Sequence, residues 1–123
     1  MSNEILIELI DFLEKTSADV NRIEAEANGL VEADGQLAFQ AKMEDKAEIL
    51  AALGEKAWKL TDKIEGDLGD EITQKLEQFS MSASTALRIG SVFFMTALLF
   101  PEDHKPGEPN DLEVYIEELK KLV

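Results

Sequence analysis

The sequence predicts an all-α protein, an antiparallel up-down helical bundle of three long helices plus a short C-terminal fourth helix. Three observations predict it. Apolar residues recur at alternating spacings of three and four along most of the chain, which is the seam of helices packed side by side. All 3 prolines fall between Pro101 and Pro109, so no earlier position forces a break. The remainder is rich in Ala, Leu, Glu and Lys, which are strong helix formers, and shows no period-2 alternation that would suggest a strand. With 123 residues, 45% of them hydrophobic, residues 1–123 are expected to form a single domain around one core.

The first helix follows from Leu6, Leu9, Leu13, Thr16, Val20, Ile23, Ala27 and Leu30. Ser2 is its expected cap, and Asn28-Gly29 followed by Asp34-Gly35 predicts an end near Asn28 and a short acidic loop. The second seam reads Phe39, Met43, Lys46, Leu50, Leu53, Ala57, Leu60 and Ile64, with Lys46 its only misfit. It predicts a helix from Gln36 to Glu65, bent slightly at Gly54. The third seam, Ile72, Leu76, Phe79, Ala83, Ala86, Gly90, Phe93, Ala97 and Phe100, runs unbroken to Pro101, which ends it. Its small residues predict close backbone approach, or room for Trp58 or Phe39. A polar linker over 101–109 then leads to a short helix over 110–122. Asn110 and Glu113 form its expected capping box, and Leu112, Tyr115, Ile116, Leu119 and Val123 its apolar stripe.

Between Gln78 and Pro101 the only charged residue is Arg88, although 31% of the chain is charged. The uncharged run Ile89 to Phe100 is apolar all round, so it needs cover on more than one side. The linker length predicts that the fourth helix folds back along Leu87 to Phe100, laying Tyr115, Ile116 and Leu119 on Phe94, Met95 and Leu98. The alternative leaves that run as a groove for another protein. Arg88 is expected to reach solvent, or to find Glu113 or Glu117 if it is covered. Ile5, Ile7, Ile10 and Phe12 add apolar surface outside the first seam. A homodimer that pairs those residues is the expected way to bury them.

A net charge of −14 opposes binding to nucleic acid or to anionic membranes, both of which need a basic face. It fits a basic protein partner, and it also keeps a small bundle soluble. The segment up to Ala33 is the most acidic, with Glu4, Glu8, Asp11, Glu14, Asp19, Glu24, Glu26 and Glu32 against Lys15 and Arg22. The chain has no cysteine, hence no disulfide, thiolate metal site or thiol nucleophile. The start, MSNEILIELIDFLEK, lacks the basic opening of a signal peptide, and the apolar run is far shorter than the roughly 20 residues of a membrane span. Cytoplasmic residence is expected.

His104, the only histidine, stands in the polar linker as a solvated loop residue, and no Glu-x-x-His occurs to build a di-iron bundle. Ser80, Ser82, Ser84, Thr85 and Ser91 have no nearby base to activate them. Gly66 to Asp70 is acidic and lacks the lysine of a phosphate loop. The residues therefore predict a non-enzymatic protein without a cofactor, acting through protein contacts as an adaptor, chaperone-like or regulatory protein, and homodimeric. One pattern supports a different class. Asp45-x-x-Glu48 and Asp62-x-x-Glu65 each place two acids on one helical face. They resemble the paired acidic motifs with which all-α nucleotide pyrophosphohydrolases bind magnesium and activate water. That resemblance implies a magnesium-dependent nucleotide hydrolase with Asp45, Glu48, Asp62 and Glu65 as metal ligands.

Overall fold

The first seam builds α1 (Ser2–Glu32). The structure, a computed structural model, describes residues 2–32 and 35–123. Leu6, Leu9, Leu13, Val20, Ile23 and Ala27 are all buried. Thr16, a polar residue in the same stripe, is buried as well and donates to the Phe12 carbonyl at 3.1 Å, so it carries no unmet hydrogen bond into the core. The helix continues past its predicted end at Asn28. A glycine stops a helix by adopting positive φ, and Gly29 does not. Gly29 therefore costs α1 about 1 kcal/mol of helix propensity without ending it. The expected side-chain cap at Ser2 and the turn signal at Asp34 lie outside the described residues and side chains.

The predicted second helix is two helices, α2 (Gln36–Ala51) and α3 (Leu53–Thr61). The Ser80 hydroxyl, arriving from the next helix, donates to the Leu50 carbonyl at 3.0 Å and accepts from the Gly54 N–H at 2.9 Å. In an unbroken helix those two groups would bond each other; here a side chain is inserted between them, which offsets the rod at Ala52. Gly54 makes the approach possible, since a Cβ there would lie 3.2 Å from the Ser80 oxygen. Beyond Thr61 the chain tightens into three-residue turns, Lys63 to Leu60 and Ile64 to Thr61.

The third seam also divides, into α4 (Gly66–Ile89) and α5 (Val92–Ala97). Gly90 has φ of 72°. Its N–H bonds the Leu87 carbonyl, and the Ser91 N–H bonds the Ala86 carbonyl at 3.2 Å, the bond pair of a Schellman motif. Gly90 thus ends a helix where spacing alone makes it one more small seam residue. Ser91 caps α5 by accepting from the Phe94 N–H.

The capping box of α6 (Asp111–Lys120) is present as predicted, Asn110 and Glu113 each bonding the other's backbone N–H at 2.9 Å. Its position differs from the expectation. Instead of lying along Leu87 to Phe100, α6 runs antiparallel along α1, joined by Lys120 to Glu14 at 3.0 Å and by Asn21 to Glu113 at 3.3 Å. On its other flank the Tyr115 ring meets Phe79 of α4 edge to face, 6.3 Å between centroids. Among the described residues α1 packs directly on α2, α3 and α6 but not on α4. The α2–α3 rod stands between α1 and α4, while α6 packs on α1 and reaches α4 through the Tyr115–Phe79 contact. The apolar width of α1 decides the location: Ile10 as well as Leu9 and Leu13 is buried, and Leu112, Ile116 and Leu119 of α6 complete the same core cluster.

Two measurements check this packing. Gly69 lies so close to the preceding turn that a Cβ would stand 1.9 Å from the Ile64 carbonyl oxygen, whereas Gly29 has open space. Gly69→Ala is expected to lose about 3 kcal/mol in urea denaturation, as backbone has to move, and Gly29→Ala to gain about 0.5–1 kcal/mol. Tyr115 is the only tyrosine. Burial, helped by the charges of Glu118 and Glu71, pushes its phenol up to about 12. A phenol raised in the folded state stabilises fully below its unfolded value of about 10 and loses that contribution as pH climbs toward 12. Absorbance titration is expected to show a midpoint near the higher value, falling toward the lower when Phe79→Ala uncovers the ring.

Candidate functional site

The buried side of α4 carries Ile72, Leu76, Ala83 and Ala86. Helical periodicity therefore turns Glu77, Met81, Ser84 and Arg88 away from the core, and all four are exposed, Met81 at 68%. On one side Trp58 of α3, half exposed, borders this stripe, and the two helices form an open groove of about 570 Å³ reaching from Gly54 to Arg88. On the other side Met81 also lines a second open groove, about 580 Å³, that continues to Phe94 and Phe100. Phe94 is exposed within that groove and Ile89 and Phe93 beyond it, Phe93 at 75%. The result is a surface from Trp58 across Met81 to α5 on which large apolar side chains are exposed among Glu55, Glu77 and Arg88, and exposed apolar side chains grouped in this way mark a contact site.

That surface is held from beneath by Lys46. Its side chain is fully buried, and its ammonium meets the Glu24 carboxylate of α1 at 2.6 Å and the Thr96 carbonyl of α5 at 3.2 Å. It also faces the Phe100 ring, 4.9 Å from the centroid. One cation thus ties α1, α2, α5 and the residue before Pro101. Burial pulls its pKa below the usual lysine value, and Glu24 partly offsets that. Met95 packs under α5 at 1% exposure. The chain then turns sharply: Leu99 holds φ of 73°, a conformation costly for a bulky side chain. Its carbonyl accepts from the Asp111 N–H at 2.9 Å, so the strain is held where α5 meets the start of α6.

The residues expected to form an interaction surface are divided by the structure. Ile10, Met95, Leu98, Ile116 and Leu119 are buried within the chain itself. Ile5, Phe12 and Tyr115 are half-buried against the same core. Ile7 and Phe94 remain exposed. Arg88 reaches solvent, in keeping with the first of its two expected fates. Among the acidic pairs, Asp45, Glu48, Asp62 and Glu65 are all exposed. Asp45 and Glu48 stand on α2, whereas Asp62 lies just past the end of α3 and Glu65 is the extended residue before α4, so the second pair does not share the helical face expected of it. Among the described residues no three His, Cys, Asp or Glu side chains converge as a metal-holding group. His104 is half-buried rather than solvated, with Nε2 2.9 Å from the Glu108 carbonyl and its ring edge on Phe100. The serines have structural roles at two positions, Ser80 in the helix offset and Ser91 at the α5 cap.

Sequence reasoning missed Trp58 and Met81 as surface residues, while Ile89 fell within the run that its alternative left as a groove. Met81 had a readable signal, standing midway between the seam positions Phe79 and Ala83 and therefore on the opposite side of the helix. Phe93 did not, because the Gly90 turn resets the register. Among the described helices none is long and apolar enough to cross a membrane. Comparison with protein-family models, curated proteins and solved structures finds no match for this chain.

The Lys46 network has a measurable consequence. Glu24→Gln leaves a buried cation without its counter-ion and is expected to lower stability by about 2–3 kcal/mol, moderated because Glu24 keeps some solvent contact. Combining it with Lys46→Met, which fills the same space without charge, is expected to recover most of that loss in urea denaturation.

Proposed function

We propose that this chain is a non-enzymatic protein that works through protein contacts, using the face formed by α3, α4 and α5, and that it does so as a homodimer. The observation that carries the reading is the contrast between this face and the rest of the surface. A chain of net charge −14 repels another acidic surface almost everywhere. Between Gln78 and Pro101 it presents no carboxylate at all, yet it exposes Met81, Ile89, Phe93 and Phe94 there. Two copies can meet across that stretch with acids only at its margins, Glu55 and Glu77 in the first groove and Asp111 in the second.

The remainder of the surface supports the same reading by keeping the protein soluble and discouraging unrelated contacts. The absence of cysteine accords with a cytoplasmic setting, which belongs to this proposal. The adaptor, chaperone-like and regulatory roles all rest on the same contact face.

Solution mass by light scattering over a dilution series tests the reading. The wild-type chain is expected to approach twice the monomer mass at high concentration, and Met81→Asp to remain at monomer mass. Met81 is mostly exposed, so the variant is expected to keep the unfolding free energy of the wild-type monomer within about 0.5 kcal/mol. A wild-type chain that stays monomeric throughout, or a Met81→Asp chain that still dimerises, would count against it.

A further inference from the structure

We infer that two copies pair through α4 itself, antiparallel about a two-fold axis between Met81 and Ser84, with Glu77 of each copy opposite Arg88 of the other. The inference rests on the contact reading above and assigns its register. Within the exposed row Asp70, Gln74, Glu77, Met81, Ser84, Arg88 of α4, the stretch from Glu77 to Arg88 has successive spacings of four, three and four, and centring the pair there sets Met81 against Ser84 rather than against Glu77. That series reads the same in both directions. In an antiparallel helix pair, a position of one helix meets d of the other, so a palindromic stripe superposes on itself. Glu77 then meets the second copy's Arg88, and Met81 meets its Ser84, each twice by symmetry.

The pairing is complementary in charge and in size. Acid faces base at both ends, and a long flexible side chain faces a small one at both central layers. Among the described residues neither Glu77 nor Arg88 forms an ion pair within its own chain, so both are available. The parallel arrangement would instead place Glu77 against Glu77 and Arg88 against Arg88, and is disfavoured by like charge. Trp58 stands beside the stripe in the same groove and would lose water as the second copy settles. The seam is about 16 Å long at 1.5 Å per residue, which suits a reversible dimer rather than an obligate one.

The test is a charge swap read by light scattering and by the emission of Trp58, the only tryptophan. Glu77→Arg and Arg88→Glu, each alone, place like charges together twice per dimer, and each is expected to weaken dimerisation about tenfold or more. The double variant carrying both reversals restores opposite charges and is expected to recover the wild-type association. The concentration-dependent blue shift of Trp58 is expected to follow the same order. If both single variants dimerise as the wild type does while Met81→Asp is monomeric, this register is wrong and the contact face stands. If the double variant fails to recover although its denaturation midpoint is unchanged, the Glu77–Arg88 pairing is likewise overturned. A monomeric wild type would remove the register and the homodimer together.

Discussion

A single buried cation fixes how the second half of this bundle is put together. Lys46 occupies a position where the α2 seam calls for an apolar residue, and full burial of an ammonium is tolerable only if its donors are met. Glu24 supplies the counter-charge from α1, and the Thr96 carbonyl supplies an acceptor from α5. The Phe100 ring covers the remaining side. Each partner comes from a different stretch of the chain, so Lys46 is satisfied only when α5 has folded back across α2. An apolar residue in the same place would pack on α1 with no requirement on where Thr96 lies. The cation therefore converts a weakly specified contact of a six-residue helix into a directional one.

That tether determines which side of α5 can face outward. With Met95 buried and Thr96 tied through its carbonyl, helical periodicity leaves Phe93 and Phe94 at the surface. The Gly90 turn acts in the same direction. A continuous third helix would have kept the register of α4 and carried Phe93 into the core seam; the Schellman turn resets it. The exposed phenylalanines thus follow from a satisfied lysine and a left-handed glycine, with no separate cause needed.

Much of the architecture was legible as pattern. The seams mark all the long helical stretches, and the Asn110–Glu113 spacing announces the α6 capping box, because both signals are local to one helix. The features that were not legible depend on partners far apart in sequence. The α2–α3 offset needs Ser80, 30 residues after the Leu50 carbonyl it engages. Lys46 reads as a misfit because Glu24 and Thr96 cannot be assigned to it by spacing. The site of α6 depended on how wide the apolar side of α1 is: Ile10 read as surplus surface, whereas it is core, and α6 lies along α1 rather than along Leu87 to Phe100. As a result, several residues expected to greet a partner are already used within the chain.

The distribution of charge gives the remaining constraint. Acids that crowd a helical bundle raise the energy of any close approach between like chains, so an association surface has to be a region from which they are missing. In this chain that region is the outward side of α4 after Glu77, together with the outward side of α5. The two ends of its central stripe carry opposite charges, Glu77 and Arg88, separated by a segment without acid or base. A dipolar stripe of that kind repels itself when aligned and attracts itself when reversed. Orientation is thereby set by two residues, while the apolar surface around them sets only affinity. The same division of labour operates inside the bundle, where apolar seams drive the helices together and the Lys46–Glu24 pair decides how the later ones lie.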